Sequence, residues 1–284
     1  MSKRKPPRPA ASHRKKSDNR PSRSPENEHP GQRRHDGGGA VWLFGRHAVE
    51  SALRNPARTC RRLLVTGSAQ QMVETVLQTV RLPRPAPETV DKSRIDAVVP
   101  EGAVHQGMAL QVAPLPAVHV EDLVKQADEK PTSTLAVVDQ GTDPRNVGAV
   151  LRSAAAFGVE AVIVQDRHAP EATGALAKAA SGALETVPLV RATNLARALD
   201  QLKGAGYWTV GLAGETETSI GDLDWPEKAV IVLGAEDSGL RRLTREYCDF
   251  LVRIPIRRDM ESLNLSNAAA IAFYAAFAAK TTNS

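Results

Sequence analysis

The stretch LAVVDQGTDPRNVGAVLRSAAAFGVEAVIVQ, residues 135–165, decides the fold of this chain. It begins with the apolar run LAVVD, residues 135–139, which is typical of a strand buried on both faces. NVGAVLRSAAAFG, residues 146–158, has the apolar spacing of a helix, and AVIVQ, residues 161–165, is a second apolar strand. A strand, a helix and a strand in this order predict a parallel pair joined by a helical crossover.

The same alternation continues to the last helix of the chain. EATGALAKAASGA and NLARALDQLKGAG have helical spacing, while TVPLV, YWTVGLAG, KAVIVLGAE and FLVRIPI are predicted strands. Strands that are apolar throughout and alternate with helices predict an α/β fold with a parallel sheet covered on both faces. We therefore assign residues 135–284 to one domain and expect its ligand at the carboxyl ends of the strands.

The end of the first strand carries candidate site residues. Asp143 and Pro144 suit the start of a helix, and Asn146 lies in its first turn. Arg152 is the only charged residue of this helix, which makes it a candidate for substrate binding. The alternative is an arginine that snorkels to solvent or pairs with an acidic residue, and this stretch alone leaves both readings open.

Three further strand ends are rich in glycine and polar residues. They are VGLAGETE with Gly211 and Gly214, VIVLGAEDSGLRR with Gly234, Glu236 and Gly239, and VRIPI leading into RRDMESLN. Each end alone is a weak signal, because glycine-rich turns commonly connect strands to helices. Four such ends on one sheet edge predict a pocket that suits an adenosine-like ligand, with a carboxylate for a ribose hydroxyl or an amine.

Several enzyme classes lose support from the motifs that the sequence lacks. It contains neither GxGxxG after the first strand nor GxxxxGK[ST], so a dinucleotide fingerprint and a P-loop are excluded. HExxH, GxSxG and clustered Cys and His are also missing, which argues against zinc and serine hydrolases. Cys60 and Cys248 have neither disulfide-framework nor zinc-site spacing, so we predict no metal.

Residues 41–114 are predicted to form a smaller α/β unit. WLFGRHAVESALRNP has helical spacing up to Asn55-Pro56, RRLLVTG is a predicted strand and AQQMVETVLQTV a predicted helix. RLPRPAPETV is predicted to be loop, SRIDAVVP a short helix and HQGMALQVAPLP a strand. Residues 115–134 are then a linker that contains one short helix, VEDLVKQADEKPTST.

Residues 1–40 are predicted to be a disordered basic tail. They hold 11 Lys and Arg, 4 acidic residues and 6 prolines, whereas the whole chain has a formal net charge of +5. The segment has almost no large apolar residues, so their burial would not offset the entropy of ordering the chain. A basic arm of this kind suits RNA, and a solubilising extension without a partner is the alternative.

Neither end of the chain indicates a membrane protein. The start lacks the apolar core of a secretory signal, and the alanine-rich end is shorter than the roughly 20 apolar residues that cross a bilayer. We expect a cytoplasmic protein without membrane contact.

The front of the last helix is unusually polar. The stretch RRDMESLNLSNAAAIAFYAAFAAK, residues 257–280, crowds Glu261, Ser262, Asn264 and Ser266 before an apolar helix. One helix cap needs only one such residue, so the surplus predicts a second role.

Three stretches taken together resemble the SpoU family of RNA ribose 2′-O-methyltransferases. DQGTDPRNVGAVLRSAAAFG, VLGAEDSGL and IPIRRDMESLNLSNAAAIA match its three motifs in order, over about residues 135–280. GRHAVESAL, the later HQG and GLRRLTREYCD are similar to the RlmB-type subgroup. Members of that subgroup methylate a guanosine in the peptidyl-transferase region of large-subunit (23S) rRNA.

The resemblance implies a SPOUT-type α/β fold with a C-terminal deep trefoil knot, an exception to the rule that chains avoid threading. It also implies an RNA-binding front domain, S-adenosylmethionine as cofactor and a homodimer packed through the last helix. By motif matching, the cofactor-binding residues are Leu212, Ala213, Gly214, Gly234, Ile254 and Leu263.

The resemblance gives the activating role to Arg152. A guanidinium pKa above about 12 argues against a literal base, so we expect Arg152 to grip a phosphate and polarise the 2′-hydroxyl. Asn146 is expected to orient Arg152 or the ribose, and Glu236 to fix the arginine or the cofactor side. Ser262 and Asn264 are expected to face cofactor and ribose, with Ser262 hydrogen bonding rather than acting as a nucleophile.

The sequence departs from the family pattern at three places. Asn267 stands where many relatives have an apolar residue, EDS replaces a more glycine-rich turn, and RRDM is unusually charged. These departures bear on substrate contacts. The alternatives are the same chemistry on tRNA, methylation of an antibiotic site, and a non-catalytic RNA-binding ribosome-assembly protein.

Overall fold

The computed structural model describes residues 40–170, 173–235, 239–257 and 259–282. The predicted basic tail, residues 1–40, lies outside these ranges except for its last residue. Glu236, a predicted site residue, also lies outside them.

The front unit, which is described throughout, is a four-stranded sheet with three helices. Its strands are β1 Val41–Phe44, β2 Cys60–Val65, β3 Pro87–Thr89 and β4 Met108–Val112, and its helices are α1 Arg46–Arg54, α2 Gly67–Thr79 and α3 Lys92–Asp96. The strand order is β1-β4-β2-β3. Only β2 and β3 run parallel.

The prediction for the start of this unit was wrong in part. Residues 41–44 form a strand on β4 rather than the first turn of α1. A four-residue apolar run does not distinguish helix from strand by its periodicity. Gly45 separates the two elements at φ +83°, a left-handed conformation that favours glycine. The predicted loop RLPRPAPETV also contains a short strand, β3, because this segment pairs with β2.

The second unit is a six-stranded sheet flanked by helices. Its strands are β5 Ser133–Val138, β6 Val162–Gln165, β7 Leu189–Ala192, β8 Trp208–Leu212, β9 Lys228–Leu233 and β10 Phe250–Val252. Its helices are α4 Val120–Ala127, α5 Pro144–Ala156, α6 Gly174–Ala180, α7 Leu195–Gly204, α8 Arg242–Glu246 and α9 Leu265–Thr282. The order is β10-β8-β9-β5-β6-β7, and every pair is parallel. The predicted parallel α/β sheet is thus confirmed.

Strand β5 lies at the centre of this sheet and is buried along its whole length. Leu135 and Val137 point into a core that includes Leu123 of α4, while Ala136 and Val138 point into the core that includes Phe273 of α9. Successive side chains of a strand point to opposite faces, so both faces of the sheet are covered. The short helix α4 in the predicted linker therefore packs into one of these cores.

Helix α9 runs from the carboxyl ends of the parallel strands to their amino ends. Near its end, the Lys280 ammonium donates to the Ser133 carbonyl at 3.2 Å, the Thr134 hydroxyl at 2.9 Å and the Glu227 carbonyl at 2.7 Å. These acceptors lie where β5 and β9 begin, whereas α9 starts at the carboxyl edge. No helix in the described ranges, α9 included, is long and apolar enough to span a membrane.

Helix α6 packs closely against the front unit. A Cβ on Gly174 would lie 2.4 Å from the Trp42 carbonyl oxygen, so only glycine permits this approach. The Lys178 ammonium donates to the Gln106 side-chain oxygen at 3.1 Å. Burial lowers the pKa of Lys178, as expected for an amine partly removed from water.

Candidate active site

The carboxyl edge of the large sheet brings the first and third predicted motifs together. Asn264 Nδ2 donates to Asn146 Oδ1 at 3.3 Å, although the two residues are 118 positions apart. Asn146 lies in the first turn of α5, which begins where Asp143 accepts a hydrogen bond from the Arg145 backbone N–H at 2.9 Å. The two predicted site asparagines therefore meet at the ends of two helices.

Asn264 also begins α9. Its Oδ1 accepts from the Ser266 backbone N–H at 2.9 Å and from the Ser266 hydroxyl at 2.6 Å. Its carbonyl accepts from the backbone N–H groups of Asn267 and Ala268, each at 3.0 Å. One side chain thus caps the helix with its oxygen and contacts Asn146 with its nitrogen, which accounts for part of the polar surplus at this point.

The predicted cofactor residues after β8 and β10 lie side by side. The Ala213 backbone N–H donates to the Val252 carbonyl at 2.9 Å, which joins the ends of the two strands. Leu212 and Ile254 are half-buried against the main core, and Gly214 is exposed. These residues form a wall that is apolar on its inner side and open at its rim.

Gly234 follows β9 at a tight turn. Ala235 and Gly239 exchange two backbone hydrogen bonds of 3.0 Å. A Cβ on Gly234 would lie 2.2 Å from the Gly239 carbonyl carbon and 2.4 Å from the Leu240 nitrogen. The turn therefore requires glycine at Gly234 and leaves backbone at the sheet edge.

Arg152 and Ser262 both have exposed side chains, and Leu263 is half-buried. Within the described ranges, no hydrogen bond or ion pair links the exposed Arg152 guanidinium to another residue, so it faces solvent in the single chain. Asn146 and Arg152 are six residues apart, so they leave α5 in different directions. The Asn146 oxygen contacts Asn264, and the expected pairing of Asn146 with Arg152 is not among the contacts of the described residues.

Sequence reasoning missed a buried acidic residue at this edge. Asp139 follows β5, is 0% exposed, and accepts hydrogen bonds from Arg241 and Thr244. Its signal in the sequence is an aspartate that directly ends an apolar strand, in LAVVD. Its partners follow β9 and lie over 100 residues away, so no local pattern pairs them.

Cys248 lies close to the site, but its thiol is expected to be unreactive. Burial raises the pKa of its thiol to about 12, so it remains protonated at neutral pH. Its Sγ donates weakly to the Thr244 carbonyl at 3.3 Å. No cluster of three or more His, Cys, Asp or Glu that could hold a metal occurs among the residues with described positions.

Two family models match this chain. Residues 133–274 match the SpoU rRNA Methylase family, and residues 42–118 match RNA 2′-O ribose methyltransferase substrate binding. The matched families are those of RNA methyltransferases. The chain belongs to the SpoU rRNA methylase family, and the resemblance of its three motifs is confirmed.

Curated relatives agree with this assignment. A Pseudomonas putida (strain KT2440) protein named 23S rRNA (guanosine-2′-O-)-methyltransferase RlmB is 39% identical over 238 residues, covering 82% of this chain and 94% of the relative. A Staphylococcus aureus (strain MSSA476) protein, named as a TrmH family tRNA/rRNA methyltransferase, is 36% identical over 236 residues. That match covers 83% of this chain and 94% of the relative.

A solved structure has the same fold. The SpoU methyltransferase AviRb from Streptomyces viridochromogenes, in complex with the cofactor AdoMet, superposes with a TM-score of 0.71 and 22% identity. The match covers 86% of this chain and 92% of that one. The AviRb structure contains S-adenosylmethionine, which is the cofactor predicted for this chain.

Proposed function

We propose that this protein transfers a methyl group from S-adenosylmethionine to a ribose 2′-hydroxyl, that of a guanosine in the peptidyl-transferase region of 23S rRNA. The observation that carries the proposal is the contact between Asn264 and Asn146. It joins the first and third motifs of a SpoU chain at the edge where α/β sheets bind ligands. The name of the Pseudomonas putida relative supports 23S rRNA as substrate.

The cofactor is proposed to lie against Leu212, Ala213, Gly214, Gly234, Ile254 and Leu263. The chemistry of these residues fits it, because half-buried Leu212 and Ile254 suit an adenine ring and the half-buried Gly234 lies at the same sheet edge. When bound, S-adenosylmethionine supplies a methyl group already activated on its sulfonium.

The protein is proposed to position the ribose rather than to form a covalent intermediate. Orientation of the reacting groups contributes roughly 7–11 kcal/mol in favourable cases. The exposed Arg152 guanidinium grips the neighbouring phosphate and polarises the 2′-oxygen, and the Asn146–Asn264 pair orients the sugar. Ser262 is proposed to hydrogen bond to the cofactor or the ribose, and Glu236 to fix the cofactor or Arg152.

We place the RNA against the front unit and the basic tail. Residues 42–118 match a substrate-binding family, and residues 1–40 carry 11 Lys and Arg against 4 acidic residues. A large structured rRNA suits two such binding elements, and we propose the cytoplasm as the location because an rRNA substrate is found there. tRNA is the second candidate, because a relative's name includes both substrates.

We further propose a homodimer formed through α9. Three large apolar residues on this helix are exposed in the single chain: Ile271 39%, Tyr274 58% and Phe277 45%. Tyr274 and Phe277 both pack on Phe157 at the end of α5, with ring centroids 5.7 and 6.2 Å apart. An aromatic patch of this kind marks an interface, and it adjoins the helix that carries Arg152.

The deep trefoil knot is part of the same proposal. Its support is the close tie between the segment after β8 and the end of β10. The Arg253 N–H donates to the Thr218 carbonyl, and the Ile220 N–H donates to the Arg253 carbonyl, both at 2.9 Å.

The experiment maps 2′-O-methyl groups on rRNA and tRNA from cells that lack the gene, complemented with wild type or Arg152→Ala. Loss of one methyl in the peptidyl-transferase region, restored only by wild type, supports the proposal. A change confined to tRNA assigns the tRNA alternative. Unchanged maps of both RNAs, together with tight RNA binding and no cofactor binding, favour a ribosome-assembly role and overturn the proposal.

A further inference from the structure

Asp139 is a fully buried carboxylate whose partners come from a single segment of the chain. Its Oδ1 accepts from Arg241 Nε at 2.7 Å and also from Arg241 Nη2. Its Oδ2 accepts from the Thr244 hydroxyl at 2.7 Å and from the Arg241 backbone N–H at 3.4 Å. A buried charge is strongly unfavourable unless it is paired and hydrogen bonded, and this one is.

Asp139 also holds the chain on the other side of the Gly234 turn. Its backbone N–H donates to the Leu233 carbonyl at 2.8 Å, directly before Gly234. Its carboxylate binds Arg241, directly after Leu240. Leu233 and Arg241 are therefore both fixed to one residue, and Ala235 and Gly239, which lie between them in the chain, exchange two backbone hydrogen bonds.

Arg241 links this turn to a third strand. Its Nη2 donates to the Gln165 side-chain oxygen at 2.7 Å, at the end of β6. A planar guanidinium reaches Asp139 and Gln165 at once, which the single ammonium of a lysine does less well. The Arg241 side chain is 37% exposed, so its replacement leaves no large cavity.

We infer that Arg241, anchored on Asp139, is a positioning residue that holds the backbone packed against Gly234, and thereby sets Gly234 for binding S-adenosylmethionine. The inference rests on the proposed function, because Gly234 is placed there in the cofactor site. Arg241 acts through the Gly239 and Leu240 backbone, which packs against Gly234, and it contacts neither the methyl group nor the 2′-oxygen. Its loss therefore weakens cofactor binding more than it slows methyl transfer at saturating cofactor.

The test compares Arg241→Ala with Arg242→Ala. Arg242 is the neighbouring residue, and within the described part of the chain its exposed side chain pairs with Glu246, four residues on. Cofactor affinity is measured by calorimetry without RNA, at a temperature where circular dichroism shows each variant folded. We expect a Kd for S-adenosylmethionine at least tenfold higher for Arg241→Ala, unchanged for Arg242→Ala, and kcat within about threefold of wild type at saturating cofactor.

Arg241→Lys keeps a cation beside Asp139 and carries the test if the alanine variant does not fold. We expect it to bind the cofactor with an intermediate Kd. A folded Arg241→Ala or Arg241→Lys protein with wild-type cofactor affinity overturns the inference. So does a Kd that rises only in step with the unfolded fraction. Failure of the wild-type protein to bind the cofactor overturns the proposed function instead.

Discussion

Arg58 of the front unit and Glu185 of the methylase unit form an ion pair that is almost fully buried between them. Arg58 Nη2 lies 2.7 Å from Glu185 Oε1, and the two side chains are only 4% and 3% exposed. Asn55 donates to the same carboxylate at 2.8 Å, and Arg58 Nη1 donates to the Ala113 carbonyl at 2.8 Å. The junction of the two units thus contains a satisfied polar cluster.

Glu185→Ala should destabilise this junction strongly. The change leaves the Arg58 charge buried without its partner, which costs about 3–5 kcal/mol in comparable sites. We expect a lower free energy of unfolding in urea and faster proteolysis of residues 115–134. The control is Arg62→Ala, since the Arg62–Glu88 pair is 44% and 46% exposed and should contribute about 0–1 kcal/mol. Equal effects of the two changes would contradict the assigned role of the junction.

Asn264 should show separable effects on stability and activity. Asn264→Ala removes the helix cap and should lower the free energy of unfolding by about 1 kcal/mol. Asn264→Asp keeps an oxygen for the Ser266 N–H but loses the nitrogen that contacts Asn146, so it should stay stable while kcat falls about tenfold. Thermal melts measure the stability, and methyl transfer to rRNA measures kcat. Asn267→Ala, on the same exposed turn, is the control, and an Asn264→Asp enzyme with full activity would refute the role of the pair.

Arg152→Lys should keep the fold and lose turnover. The side chain is exposed, so the melting temperature should not change, whereas loss of the planar fork should reduce kcat by roughly 100-fold. The measurement is transfer of labelled methyl to rRNA at saturating cofactor. Near-normal turnover of the lysine variant would exclude bidentate binding of a phosphate.

Cys248 should resist thiol reagents until the protein unfolds. A thiol whose pKa is raised to about 12 gains its thiolate only at strongly alkaline pH, so at pH 8 only about one molecule in 10⁴ is reactive. In a Cys60→Ser background, we expect negligible labelling of native protein at pH 8 and complete labelling in urea, read by mass spectrometry. Fast stoichiometric labelling of the native protein would show that the thiol is accessible and ionised.

Tyr274→Glu should convert the proposed dimer to a monomer. The substitution puts a charge into the exposed aromatic face of α9, where burial against a second copy would be unfavourable. Analytical ultracentrifugation measures the result. Trp208→Glu is the control, because Trp208 is 52% exposed, close to the 58% of Tyr274, but lies on β8. A wild-type protein that sediments as a monomer would remove the dimer from the proposal.

Much of the fold could be predicted from the sequence because the large sheet is buried on both faces. Its strands are then mostly apolar, and from β5 to β8 each strand is separated from the next by a helix. The first strand, Val41–Phe44, could not be separated from α1 because it is only four residues long. Its identity depends on pairing with β4, a distant segment.

The candidate site was predictable only where a motif lies at a strand end. Gly234 directly follows β9, Asn146 and Asn264 lie in the segments after β5 and β10, and parallel strands bring their ends to one edge. The link from Asp139 to Arg241 was not predictable, because the two residues are 102 positions apart. Charge and burial identify such a pair only once the sheet order is known.

The contact made by the start of helix α9 also bears on the order in which the protein folds. Asn146 and its partner Asn264 are separated by 118 residues, so we expect the site to form only after the sheet between them has paired. Contacts of such long sequence separation form late and slowly. During refolding, helical circular dichroism should therefore return before methyl transfer does. Catalytic activity is then the most stringent reporter of a completely folded chain.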